Sequence, residues 1–199
     1  MKTSALLLLL APARADPGQV LVLGVHHSAT SIATRALNLL GLHVGSPEEL
    51  IIDAKNPLKY WERKEVVEMD KSRLASGIST DGHAASHAAD IPPFVGYGFS
   101  PTQGASLSTM SAPKELVSKL NENRPWVTKD PRMCLVAEEW MQLLESPACI
   151  IVHRDPMSVA NSMMIYSHNV SLTEWASVYE SYYKSAMKAC TGVSASPAA

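Results

Sequence analysis

The chain has 199 residues, 46% of them hydrophobic and 18% charged, with 19 acidic against 17 basic side chains. That is enough apolar material for one α/β domain with its own core. A formal charge of −2 and a pI near 6.4 exclude a general attraction to nucleic acid, so any anion site must be local and suited to a small ligand.

Met1-Lys2, the apolar block from Ala5 to Ala11 and Ala13-Arg14-Ala15 read as a short secretory leader with an A-x-A cleavage site, residues 1–15. The block is too short to span a bilayer. The expectation is a domain over 16–190, in the Golgi lumen or secreted, with no stable membrane span; organellar and cytoplasmic locations are the alternatives. Val20-Leu21-Val22-Leu23 predicts a buried strand, and Gly24-Val25-His26-His27-Ser28-Ala29-Thr30-Ser31 the loop after it. Thr30 to Leu40 carries Ile32, Ala33, Ala36, Leu37 and Leu40 at helical spacing, which predicts an amphipathic helix closed by Gly41. Leu42-His43-Val44 predicts a short second strand. Ser46-Pro47-Glu48-Glu49 predicts a helix opening, with Ser46 as cap and Glu49 reaching back. A loop through Asn56-Pro57 leads to Tyr60-Trp61-Glu62 and then a helix from Arg63 to Leu74, with Val66, Val67, Asp70 and Leu74 at its periodic positions.

Ser76 to Ala112 is rich in Ala, Ser, Gly and Pro without a sustained period, and reads as a long loop or insertion: a lid, a binding loop or disorder. Beyond it the pattern predicts a helix from Ser111-Ala112-Pro113 to Asn121, a strand over Trp126-Val127-Thr128-Lys129, a helix from Leu135 to Leu144 and a buried strand from Ala148 to His153. A helix follows after Pro156, with Asp155 as its cap. The last helix opens on the capping box Ser171-Leu172-Thr173-Glu174 and runs through Trp175, Val178, Tyr182 and Met187. The stripe Trp175, Val178, Tyr179, Tyr182 reads as core, and the tail 191–199 as frayed. Alternating β and α predicts a parallel sheet covered by helices. Cys134, Cys149 and Cys190 form an odd set without metal-like spacing, read as buried thiols rather than a disulfide framework. His83 and His87 lack a third ligand in register, so no metal is expected. Asn169-Val170-Ser171 is a glycosylation sequon that matters only in the secretory pathway.

The chemistry gathers where strands end. A helix start presents unpaired N–H groups and the positive end of the macrodipole, which suits phosphate or sulfate. Laid on the triphosphate pattern G-x-x-x-x-G-K-[ST], Gly24 and Ser31 fall in register, but Ala29 replaces the second glycine and Thr30 the lysine. Ligands of open α/β sheets bind outside the carboxyl ends of the strands. Three such ends carry anion-binding residues: the His26 to Ser31 loop, Lys129-Asp130-Pro131-Arg132, and His153-Arg154-Asp155-Pro156 with Ser158 and Ser162 beyond it.

Taken together, these three segments resemble the sulfotransferase family, which moves a sulfuryl group from 3′-phosphoadenosine-5′-phosphosulfate (PAPS) to a hydroxyl or amine. The resemblance runs in outline from Gln19 to Tyr183 and is nearest to bacterial-type and protein-tyrosine members. It implies a three-layer parallel sheet of P-loop NTPase-like topology, PAPS as donor without a metal, and a small-molecule, carbohydrate or protein hydroxyl acceptor rather than nucleic acid. It places His26, His27, Ser28, Ala29, Thr30 and Ser31 on the 5′-phosphosulfate, and Arg154 with Ser162 on the 3′-phosphate. Lys129 and His27 would stabilise developing charge, with Glu62 as base and Glu65, Asp53 and His26 as its rivals. Two positions depart from the family: His27 stands where Lys or Arg is usual, and Ala29 where Gly is usual. A histidine of ordinary pKa, about 6.5, is mostly neutral at pH 7, though a bound dianion would raise it. Ala29 fits without strain only at negative φ. The family also continues into a further strand and a closing loop, so a chain ending at Ala199 reads as a fragment or a shortened, C-terminally truncated member. A small-molecule kinase and a non-catalytic nucleotide-binding relative are the alternative functions.

Overall fold

The computed structural model describes residues 7–10, 18–52, 60–76, 113–145, 147–165 and 171–192. In chain order the elements are β1 (Leu7–Leu10), β2 (Gln19–Leu23), α1 (Thr30–Leu39), α2 (Lys64–Ser76), α3 (Pro113–Asn121), β3 (Trp126–Lys129), α4 (Met133–Leu143), β4 (Pro147–His153), α5 (Pro156–Met164) and α6 (Leu172–Gly192). The strands form one sheet in the order β1-β4-β2-β3. β4, β2 and β3 run parallel, and β1 lies antiparallel along β4 with Leu7 opposite His153. β1 thus comes from the segment read as a leader.

Alternation along the strands sends side chains to two cores, as a sheet covered on both faces requires. Leu21, Leu23, Trp126, Cys149 and Ile151 pack with residues of α2, α3, α4, α5 and α6. Val20, Val22, Val127, Ile150 and Val152 face the other way, toward Ala33 and Leu37 of α1. Trp175, Val178 and Tyr182 are buried in the first core, as their helical spacing predicts. α1 ends where expected: Gly41 N–H donates to Asn38 O at 3.0 Å and Leu42 N–H to Leu37 O at 3.1 Å, and Gly41 takes a φ of 102°.

Three expectations need correction. Leu42-His43-Val44 is not a strand but a single bridge, His43 beside Trp126, because only the His43 peptide reaches β3, at 2.8 and 2.9 Å. The segment after Ser46 does not continue as a helix. Glu49 does reach back to the Ser46 N–H at 2.8 Å, but its carboxylate is also held by Arg63 and Lys119, and the chain extends at Leu50 to pair with Arg63. Cys149 and Cys190 are joined as a disulfide, with only Cys134 a buried thiol. A separation of 41 residues gave no hint of this pairing; the docking of α6 on β4 brings the two Cα atoms to 6.0 Å. The insertion over 77–112, Asp53, His83, His87, Asn169 and the tail over 193–199 lie outside the described residues.

Candidate functional site at the carboxyl ends of the parallel strands

The loop between β2 and α1 is held in an unusual backbone by close packing. Gly24 has a φ of 158°, and a Cβ there would lie 2.7 Å from Ser28 Oγ, 2.7 Å from Val152 O and 2.8 Å from Thr30 Cγ2. Its N–H donates to Cys134 Sγ at 3.0 Å, and burial pushes that thiol up to about 12. His27 and Ala29 both adopt left-handed conformations, φ 62° and 76°. The alanine therefore occupies the glycine-like region and stores backbone strain in the loop. As N-cap of α1, Ala29 supplies no side-chain acceptor, and the first turn contains no acid. The positive end of that helix therefore carries neither a side-chain cap nor an acid of its own.

Side chains from three strand ends converge here. Arg154 Nη1 donates to His27 O at 2.8 Å, and Ser162 Oγ lies 2.7 Å from His27 Nδ1. The two residues assigned to one phosphate therefore both contact His27. Burial, followed by the Arg154 charge, holds the His27 imidazole below its ordinary range. His26 is lowered further, first by burial and then by Arg132 and Lys129. Both rings are neutral at pH 7 without a ligand. α6 braces this edge: the Tyr179 hydroxyl donates to Arg154 O at 2.8 Å and the Tyr183 hydroxyl to Val152 O at 2.6 Å.

At the end of β3, Lys129 is 1% exposed and its Nζ donates to Glu62 Oε1 at 2.5 Å and to Ser31 Oγ at 3.3 Å. Ser31 Oγ in turn donates to Tyr60 O at 3.0 Å. Glu62 is fixed from both sides of its backbone. Ile51 N–H donates to Glu62 O at 2.9 Å, and the preceding Trp61 sits at φ 59° with its indole under the Arg35 guanidinium, 4.7 Å from the ring centroid. No protein-family model, curated protein or solved structure matches the chain. The chemistry of this site has to come from its own residues.

Of the sequence-predicted residues, Glu62, Lys129 and Ser31 form one contact set, and His27, Arg154 and Ser162 a second across the loop. Ser28 and Thr30 are buried, the Ser28 hydroxyl lying beneath Gly24, so they shape the loop from inside. Glu65 is drawn away as a rival base: it is bound to Lys119 at 2.7 and 2.9 Å. Asp155 caps α5 through the Ser158 N–H at 2.8 Å, as its position before Pro156 predicts. Missing from the sequence-predicted set are Asp70 and Tyr182, both buried, while Asp130 and Arg132, named at the end of β3 for anion binding, are buried and paired with each other. One signal was present, an acid on the apolar face of α2. Among the described residues no group of three or more His, Cys, Asp or Glu could hold a metal ion, and no helix is long and apolar enough to cross a membrane.

Proposed function

We propose that the chain is a sulfotransferase that binds PAPS across the carboxyl ends of β2, β3 and β4 on a P-loop NTPase-like sheet. The observation that carries this reading is Lys129 Nζ, which stands between Ser31 at the start of α1 and Glu62: one cation joins an anion cradle to a carboxylate. The fit to the donor rests on the uncapped start of α1, the strained loop that exposes it, and Arg154 with Ser162 at the neighbouring strand end. The donor supplies a sulfuryl group to a hydroxyl oxygen and departs as adenosine 3′,5′-bisphosphate. Sulfuryl transfer needs positioning and charge stabilisation more than covalent help.

The residues divide that work. Glu62 takes the proton of the acceptor hydroxyl, and for this its carboxylate must leave Lys129. The lysine, a mobile point charge, turns toward the leaving oxygen as negative charge grows there. The N–H groups at the start of α1 and Ser31 hold the 5′ side, and Arg154 with Ser162 the 3′ side. The Cys149–Cys190 disulfide supports placement in an oxidising compartment, in line with the secretory reading.

A non-catalytic nucleotide-binding relative is the second reading, favoured by Ala29 at φ 76° and by a neutral His27 where a fixed cation would serve better. Transfer of labelled sulfate from PAPS to a panel of sugars, phenols and peptides separates the two. Turnover that is lost in Glu62→Gln while nucleotide affinity stays within twofold supports the enzyme; background transfer with intact nucleotide binding supports the relative.

A further inference from the structure

Below Glu62 and Lys129 lies a second layer of ionisable groups with no exposed surface. Asp70 on α2 and Asp130 after β3 are both 0% exposed. Both Asp130 oxygens are taken by Arg132: the backbone N–H to Oδ1 at 3.2 Å, Nε to Oδ2 at 3.0 Å and Nη2 to Oδ1 at 3.0 Å. Asp70 Oδ1 accepts from Trp140 Nε1 at 2.8 Å. Asp70 Oδ2 is buried, and no donor among the described residues reaches it; the Asp130 charge acts on the same carboxyl. A buried carboxyl oxygen that no N–H or O–H reaches requires a proton of its own.

We propose that Asp70 and Asp130 share one proton, carried by Asp70, which leaves Asp130 ionised on Arg132 and makes Asp70 a positioning residue for the Glu62–Lys129 pair. Charge balance selects this arrangement. The groups facing the pair are Lys129 and Glu62 above, Arg132 in the turn, Cys134 and Trp140 on α4, Tyr182 on α6, and His26. Burial keeps His26 neutral and holds the Cys134 thiol and the Tyr182 phenol protonated. Two cations, Lys129 and Arg132, then meet two carboxylates, Glu62 and Asp130, and a third buried negative charge on Asp70 would be unmatched. Burial, then the Asp130 charge, raises the Asp70 carboxyl well above the usual range in support. With the proton in place Arg132 stays on Asp130 and within 4.0 Å of Glu62 Oε2; without it the guanidinium is drawn down between two anions. The consequence for Glu62 as a base rests on the sulfuryl-transfer reading, whereas the shared proton does not.

The test uses the full, ligand-free chain, so failure to bind nucleotide would overturn that reading alone. Infrared difference spectra of carboxyl-labelled aspartate protein at pH 7 are expected to show a protonated carboxylic carbonyl that disappears in Asp70→Asn and persists in Asp155→Asn. Urea unfolding gives the second readout. A native state that holds a proton which the unfolded chain has lost becomes less stable as pH rises, so the wild-type unfolding constant should climb relative to Asp70→Asn by up to tenfold per pH unit above about pH 4. The Arg132 Nε–H resonance should persist in both Asp70→Asn and Asp70→Ala, neither of which places a second anion beside the guanidinium. Absence of the carbonyl in wild type, parallel pH curves, or loss of the Arg132 signal in the uncharged variants overturns the proposal. Should Asp70→Asn not fold, the wild-type spectrum decides.

Discussion

Lys129→Met isolates what the buried ion pair contributes. The ammonium is 1% exposed and its partner Glu62 8%, at 2.5 Å, so removing the charge strands a carboxylate that water barely reaches. Breaking a buried pair from one side costs about 3–5 kcal/mol. Arg132 Nη2, 4.0 Å from Glu62 Oε2, offers partial compensation and places the expected loss near the lower end, about 3 kcal/mol. With a urea slope of about 2 kcal/mol/M, the unfolding midpoint should fall by about 1.5 M. Adding Glu62→Gln removes the stranded charge, so the double variant should recover about 2 kcal/mol relative to the sum of the single changes. Urea unfolding of all four proteins at pH 7 measures this coupling directly. Additive single effects, or a Lys129→Met loss below about 1 kcal/mol, would refute the claim that these side chains form one buried unit.

The loop makes two opposed predictions. Gly24→Ala forces a methyl against three atoms closer than 3.0 Å, two of them on the loop itself, and should cost at least about 2 kcal/mol in thermal unfolding. Ala29→Gly should stabilise by about 0.5–1 kcal/mol, because relief of an alanine at φ 76° exceeds the entropy that glycine adds to the unfolded chain. For His27 the sign follows from its neutral, ligand-free state. A bound dianion raises its pKa, binding takes up a proton, and affinity for adenosine 3′,5′-bisphosphate should rise as pH falls from about 8 to 6, by up to tenfold per unit. Calorimetry on His27→Asn should show this dependence flattened, and an unchanged slope would remove His27 from the site.

The sequence was most legible where one local signal decides. Strand β3 and the start of α1 fall on their predicted residues because apolar runs and helical spacing need no tertiary help. α4 starts two residues early, since the Met133 N–H donates to Asp130 O at 3.0 Å and opens the helix directly from the site turn. At the strand ends Lys129 reaches Ser31 and Glu62, and Arg154 reaches His27. What the chain hid was set by distant partners. Ser46 carries a helix-start pattern, yet the pairing of Leu50 with Arg63 and the hold of Arg63 and Lys119 on Glu49 override it. Cys149 and Cys190 become a pair only when α6 docks on β4. Asp70 stood among the periodic positions of its helix, and its surroundings depend on Trp140, 70 positions further along. The left-handed backbone at Ala29 could not be read from an alanine at all.

The proposed function requires that one end of this sheet hold a nucleotide with phosphate at both its 3′ and 5′ positions. Equilibrium binding of adenosine 3′,5′-bisphosphate, set against ATP with magnesium and repeated on Arg154→Ala, tests it most directly. Preference for the bisphosphate is expected, with a loss in Arg154→Ala of about 1.5–3 kcal/mol, or roughly 10- to 150-fold. Tighter binding of ATP with magnesium, no binding of either nucleotide, or equal affinity in Arg154→Ala would contradict it.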